Sequence, residues 1–308
     1  MALGLGLGLD KNVKLKKKFI TTWKTDNLST GSSNNNQVKL PLESTGTYNF
    51  VVDWGDGTKD KITVYNQAEV THTYSVIGTY TIKIYGDLIG WRFYDGGDKL
   101  KLLTIEKFGC LRINETEGSF FGCSNLVVNA NDEFKISGIK RLSYLFRTCL
   151  ALNQDIKMDT SLVERMYGMY YGCSSFNKVL NYNTSNLNNA EYMFGATSYN
   201  QPINFNTENL QNWSRMFINN SAFNQDISNL SLKSATSMTL MLSGATAWST
   251  ENYDLFLIGA HNQALSTGIQ SSVSFGCSSK YTLGGAAEAA RTYLQTTKGW
   301  TITDSGGI

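Results

Sequence analysis

The chain has 308 residues, 41% apolar and 17% charged, with a formal net charge of +2. That length allows two or three cores, and so small a net charge predicts neither a nucleic-acid partner nor an acidic one for the chain as a whole. Two prolines exclude a Pro-rich stalk. Two histidines, with five cysteines and no Cys-x-x-Cys pair, argue against a zinc site, and no apolar run reaches the ~18 residues of a membrane span.

Residues 1–18 alternate glycine with leucine and then become basic. Lys11, Lys14, Lys16, Lys17 and Lys18 hold five of the 27 basic residues, leaving 22 basic against 24 acidic residues in the remainder. The lysine run suits a solvated basic linker, and the segment as a whole is taken as a docking arm. An extended run places Leu3, Leu5, Leu7 and Leu9 on one face, as in strand addition to a partner's sheet edge, while Lys14, Lys16, Lys17 and Lys18 add electrostatic steering. The positive charge follows the apolar run, the reverse of a signal peptide. The expectation is therefore a protein made and kept in the cytosol, or one that leaves it as part of an assembly.

Residues 19–86 alternate apolar and polar positions over 19–23, 37–42, 48–54, 61–65 and 79–85. Turn residues at 31–36, Gly46, 55–57 and Gly78 separate these runs. Short strands at this spacing predict a small β-sandwich. Asp56-Gly57 suits a tight turn and Trp54 can plug the sandwich. The stretches Val51-Val-Asp-Trp-Gly-Asp-Gly-Thr58 and Thr71-His-Thr-Tyr-Ser-Val-Ile-Gly-Thr-Tyr-Thr-Ile-Lys-Ile84 resemble the two hallmark segments of the PKD-type immunoglobulin-like domain. Residues 87–118 are too apolar for a free linker, with Trp91, Phe93, Leu100, Leu102, Leu103 and Ile105, and read as a connector and N-terminal cap.

Residues 119–250 repeat. Large residues recur at Phe120, Phe146, Tyr170, Phe194, Phe217 and Leu242, about six units of ~25 residues, a period that means a solenoid. A second large residue follows each anchor by about six positions, and then an asparagine in four units: Asn153, Asn177, Asn200 and Asn224. These asparagines are expected to form a side-chain ladder. Cys123, Cys149 and Cys173 all follow their anchors by three positions, which predicts small inward residues and buried thiols. Coils ~4.8 Å apart would also permit a disulfide between them. The best copies, 169–177 and 216–227, resemble BspA-like leucine-rich-repeat surface proteins. Residues 251–308 change period, with helices over 253–265 and 284–295 and strands over 272–275 and 300–303. The end, 281–304, is similar to the closing cap of that family.

Catalytic constellations are thin. Asp155 and Asp226 occupy equivalent positions three coils apart, roughly 14 Å, outside the ~5–9.5 Å of glycosidase carboxylates. Asp159 with Glu164, and Glu191 with Glu208, remain open as pairs. Asp53, Asp56 and Asp60 invite calcium but lack the spacing of a calcium loop; a turn explains Asp56-Gly57 better. His72 reads as a hydrogen-bonded sandwich residue and His261 lies on the cap helix. Aromatic residues off the anchors, Tyr182, Phe205 and Trp213, read as an exposed recognition face among Asn, Ser and Thr.

The expected fold is mainly β with α: an immunoglobulin-like β-sandwich (19–86), a connector (87–118), a leucine-rich-repeat-type solenoid (119–250) and an α/β C-terminal cap (251–308). The family resemblance implies a surface or adhesion role. With the N-terminal arm, it leads to the expectation of a non-enzymatic bacteriophage virion protein, a head or tail fibre or decoration. The alternatives are a bacterial cell-surface adhesin and a glycan-degrading enzyme on the solenoid. Expected partners are virion structural proteins through residues 1–18, a host-surface glycan or protein through the solenoid, and further copies of the chain. No cofactor, specific nucleic acid or membrane insertion is expected.

Overall fold

The computed structural model describes residues 17–308; Leu3, Leu5, Leu7, Leu9, Lys14 and Lys16 of the expected docking arm lie outside the described residues. The protein is mainly β with few helices. Only 11% is helical and 24% strand, so turns define most of its shape.

The first part contributes β1 (Phe19–Lys24), β2 (Gln37–Lys39), β3 (Leu42–Asp53), β4 (Lys59–Ile62), β5 (Thr71–Thr73), β6 (Thr79–Trp91), β7 (Leu102–Lys107), β8 (Leu111–Arg112) and β9 (Val127–Val128). The main sheet runs β4-β3-β6-β1-β7-β9, with β8 on β6, while β2 and β5 form a separate antiparallel pair. Alternation sets the inner face: Phe19, Thr21 and Trp23 of β1 are buried opposite Ile84, Ile82 and Tyr80 of β6. Trp54 is fully buried and stacks on His72 at 4.7 Å.

Three sequence expectations shift here. The run 37–42 divides because Pro41 lacks an N–H and constrains Leu40. β2 accordingly pairs with β5, and β3 with β6. The run 61–65 ends at Ile62 because Gln67 Oε1 accepts from the Thr63 and Val64 N–H groups, while its Nε2 donates to the Lys61 carbonyl. The boundary at 86 falls inside β6. Gly86 has φ +132°, and a Cβ there would lie 2.4 Å from the Asn49 carbonyl oxygen, so glycine lets β6 pass β3 without a break. Beyond it, Leu88 and Trp91 are buried, Trp91 packing edge-on against Phe19 at 5.1 Å. The connector's β7 then pairs with β1, so 87–118 extends the first sheet.

From residue 118 the chain forms successive turns that hydrogen-bond to one another. Parallel bridges run from Arg141 to Arg165, Asn189, Asn212 and Ser237. The N–H of each anchor donates to the carbonyl just before the next anchor: Phe120 to Leu145, Phe146 to Met169, Tyr170 to Met193, Phe194 to Met216, and Phe217 to Met241, all at 2.8–3.1 Å. Anchor rings stack face to face: Phe120 on Phe146 at 5.6 Å, Phe146 on Tyr170 at 5.8 Å, Tyr170 on Phe194 at 6.2 Å and Phe194 on Phe217 at 5.6 Å. The asparagine ladder is present. Asn153, Asn177 and Asn200 each accept, through Oδ1, the N–H of the next asparagine at 2.8–2.9 Å, and Asn224 accepts from Ser249.

The last turn passes to a parallel sheet of β10 (Ser237–Leu242), β11 (Ser274–Cys277) and β12 (Thr301–Thr303), with α1 (Thr250–Ser266) and α2 (Ala286–Thr296) between them in sequence. Ser249 caps α1 by accepting from the Asn252 N–H. Tyr253, Phe256, Leu257 and Ala260 of α1 and Ala287, Ala290 and Leu294 of α2 are buried. Asp304 accepts from Tyr253 Oη at 2.6 Å and from Arg291 Nε at 2.8 Å, tying both helices to the end of β12.

Candidate recognition face

The anchor segments have an unusual backbone. Two residues before each anchor φ is positive, at Gly118, Tyr144, Gly168, Tyr192, Arg215 and Leu240; two residues after, it is positive again, as at Gly122, Thr148, Gly172 and Ala196. Non-glycine residues rarely adopt this region. Its recurrence follows from the hydrogen bonding. Alternate N–H groups point along the stack to the next turn, while those between close three-residue turns, such as Leu145 N–H to Leu142 and Arg147 N–H to Tyr144. Side chains two before and one after the anchors, such as Tyr144, Arg147, Tyr171 and Tyr192, are thereby left half-buried on the outer side, while the anchors and the Leu or Met just before them are buried.

Those outer positions carry aromatic rings. Tyr94, Phe121, Tyr144, Tyr167 and Tyr192 form a chain of ring contacts with centroid steps of 5.9, 6.0, 5.0 and 5.7 Å. Tyr94 is exposed and the other four are half-buried. Guanidinium groups lie on these rings. Arg92 is 3.9 Å from the Tyr94 centroid, Arg165 is 4.8 Å from Tyr167, and Arg147 sits 4.8–5.1 Å from Phe121, Tyr144 and Tyr171 together. Arg215 also stacks on Tyr192, but Glu191 pairs with it at 3.5 Å. The Nε atoms of Arg147 and Arg165 are buried without a hydrogen-bond partner among the described residues.

The residues expected to form the recognition face lie elsewhere. Tyr182, Phe205 and Trp213 are 8%, 7% and 1% exposed, which removes them from any surface. Tyr182 Oη bonds Tyr170 Oη at 2.6 Å, Phe205 packs near Phe194, and Trp213 Nε1 donates to the Leu210 carbonyl. The polar stretches between anchors fold their few apolar residues inward and close each turn from the far side. The outer ring chain was missed because aromatics within three positions of an anchor look like more core; their spacing relative to the anchors is the signal that could have found them.

The other candidates have structural partners. Asp53 pairs with Lys59 at 2.9 Å and Asp60 accepts from Trp54 Nε1 at 2.8 Å. Asp56 accepts from Thr58 and lies 2.7 Å from His72 Nε2. Partial burial works against ionisation there, but these hydrogen bonds prevail and hold its carboxyl down at about 2. His261 packs against Tyr293. Lys17 and Lys18 are exposed. Glu164 pairs with Lys140, Glu208 with Lys233, and Asp159 accepts from the Ser161 N–H. All five cysteines carry free thiols. Cys149 and Cys173 donate to the carbonyls of Phe120 and Phe146 in the preceding turn. Sequence reasoning also missed a fully buried ion pair, Lys101 with Asp98.

No curated protein and no solved structure matches the chain. The family described as "Mycoplasma protein of unknown function, DUF285" matches residues 92–203 and, overlapping them, 140–256. The matched region takes in every anchor and the outer ring chain, and it covers more than half of the 308 residues. The chain belongs to this family.

Proposed function

We propose that this chain is a non-enzymatic surface-recognition protein of a bacteriophage virion, a head or tail fibre or decoration. In finer terms, we read its fold as a PKD-type immunoglobulin-like β-sandwich followed by a leucine-rich-repeat-type solenoid of the BspA-like kind with an α/β cap. The observation that carries a recognition role is the continuous outer chain of rings and guanidiniums from Tyr94 to Tyr192, a costly surface to maintain for packing alone. The structural partners of Asp159, Glu164, Glu191 and Glu208 speak for binding rather than glycan cleavage. The Gly-Leu run and the lysines of residues 1–18 support attachment to a larger assembly. Host-surface glycan or protein would then be met by the solenoid.

A second reading, a bacterial cell-surface adhesin, is favoured by the description of the matching family as a Mycoplasma one. Immunogold labelling of purified virions and of bacterial cells from the source culture tests the choice. Label on particles is the expected result; label confined to the cell envelope would replace the first reading with the second.

A further inference from the structure

We infer that the ring-and-arginine face is the binding site for a uronic-acid-bearing polysaccharide laid along the stacking axis; this rests on the surface-recognition reading above. Three observations meet on the same turns. First, the rings form a regular array, with steps of 5.0–6.0 Å that are comparable to one sugar residue, so a repeating polymer can meet a repeating surface. Half-exposed tyrosines offer an apolar face to sugar C–H groups and a hydroxyl to their oxygens.

Second, three of the four guanidiniums on this array, those of Arg92, Arg147 and Arg165, lack anions among the described residues, Arg215 alone being paired, with Glu191. Arg147 is held between three rings and Arg165 lies over Tyr167, and neither has a carboxylate within salt-bridge distance among the described residues. Both leave a buried Nε without an acceptor. Arg92 Nε donates only to the Glu117 backbone carbonyl. Third, Arg141 and Arg165 stand opposite each other in a parallel bridge, and like charges so placed repel. Only Arg141 has an acidic partner, Glu115 at 3.4 Å. The buried Nε atoms lie out of a ligand's reach, but the two residues are half-buried, and a ligand carboxylate would pair with the outer N–H groups of their guanidiniums.

The surroundings select among anionic polymers. The backbone N–H groups along the face already donate to the next turn, as Tyr144 does to Tyr167 and Thr148 to Tyr171, which leaves no strand edge for an acidic peptide. Beyond residue 18 the chain carries 22 basic and 24 acidic residues, so no long-range field favours nucleic acid.

The experiment is calorimetric titration of the full chain with oligomers of polygalacturonate, polymannuronate and hyaluronan. Carboxyl-reduced polygalacturonate, poly-glutamate and single-stranded DNA are the comparison ligands. Binding to at least one polyuronate is expected, weakening with salt, with loss of binding to the carboxyl-reduced polymer. The double variant Arg147→Gln/Arg165→Gln, checked for folding by circular dichroism, is expected to bind at least tenfold more weakly. The comparison of the polyuronate with its carboxyl-reduced form needs no variant and so stands if the variant misfolds. Absence of binding to every polyuronate, equal affinity for the carboxyl-reduced polymer, equal affinity of a folded double variant, or tighter binding of poly-glutamate or DNA would overturn the inference. A parallel assay of bacterial-cell binding separates the two readings. Cell binding without polyuronate binding defeats only this inference, whereas polyuronate binding without cell binding defeats the host-attachment reading.

Discussion

Lys101→Met is the sharpest test of how the first sheet is locked together. The Lys101 ammonium is fully buried and lies 3.4 Å from Asp98, which is also fully buried. It donates to the carbonyls of Ser33, Asn34 and Gln37 and to Ser33 Oγ, at 2.8–3.0 Å. Asp98 accepts from the Ser33 N–H, Ser33 Oγ and the Lys39 N–H at 2.6–2.7 Å. One ion pair thus ties the segment 33–39 to the start of β7. At an effective dielectric of about 20, charges this close attract by roughly 5 kcal/mol. Methionine keeps the apolar stem but removes the cation, leaving Asp98 charged and three carbonyls short of a donor. Breaking a buried pair in this way costs about 3–5 kcal/mol, a large share of a typical stability of about 5–15 kcal/mol. Urea unfolding at pH 7, followed by tryptophan fluorescence, measures it. The double variant Asp98→Asn/Lys101→Met should cost less than the two single changes added together, because each charge is costly chiefly when the other is gone. A single-variant loss below about 1 kcal/mol, or strict additivity in the double variant, would refute the reasoning.

Gly86→Ala should destabilise by more than about 2 kcal/mol, because φ is +132° and the new Cβ meets the unyielding backbone of Asn49 and Phe50; Gly31→Ala, with open space around it, should cost about 1 kcal/mol. Asp56→Asn should lower thermal stability above pH 4. Since the folded carboxyl sits below its ordinary value, at about 2, its contribution is present above the unfolded pKa and fades as pH falls toward 2, so the melting curves of variant and parent should converge there. Asn177→Ala removes the acceptor for the Asn200 N–H and Gln201 Nε2 and should cost about 1 kcal/mol in urea unfolding, whereas Asn177→Asp should be milder. Alkylation under denaturing, non-reducing conditions should modify five cysteines by mass spectrometry, while the native protein should protect Cys123 and Cys149, whose thiols burial pushes up. A disulfide joining Cys123 to Cys149, or Cys149 to Cys173, would count against the thiol hydrogen bonds described above.

Periodic information was legible in the chain itself. Alternation marked the strands near 19–23 and 79–85, because one residue in two must face the core. The recurrence of Phe120, Phe146, Tyr170, Phe194 and Phe217 marked residues that stack on their counterparts in the next turn. The ladder from Asn153 to Asn224 followed from the same logic, since an identical acceptor at each turn serves an identical donor in the next. The helix near 253–265 followed from its apolar spacing and the one near 284–295 from its alanine content.

Inside and outside could be decided only in three dimensions. Beside an anchor Tyr144 reads as core and away from one Tyr182 reads as surface, yet Tyr182 bonds Tyr170 in the core and Tyr144 faces outward beside Arg147. The difference lies in the left-handed backbone flanking each anchor, which non-glycine residues adopt here because neighbouring turns claim alternate N–H groups. Strand limits were set in the same way, by Pro41, by the grip of Gln67 on the turn after β4, and by the close passage of Gly86. The pairing of Lys101 with Asp98 across to residues 33–39 left no periodic trace at all. Sequence alone determined the repeat and the alternation, because each is a local rule applied many times. The tertiary structure decided the exposed face and the boundaries, because each depends on contacts made once between residues far apart in the chain.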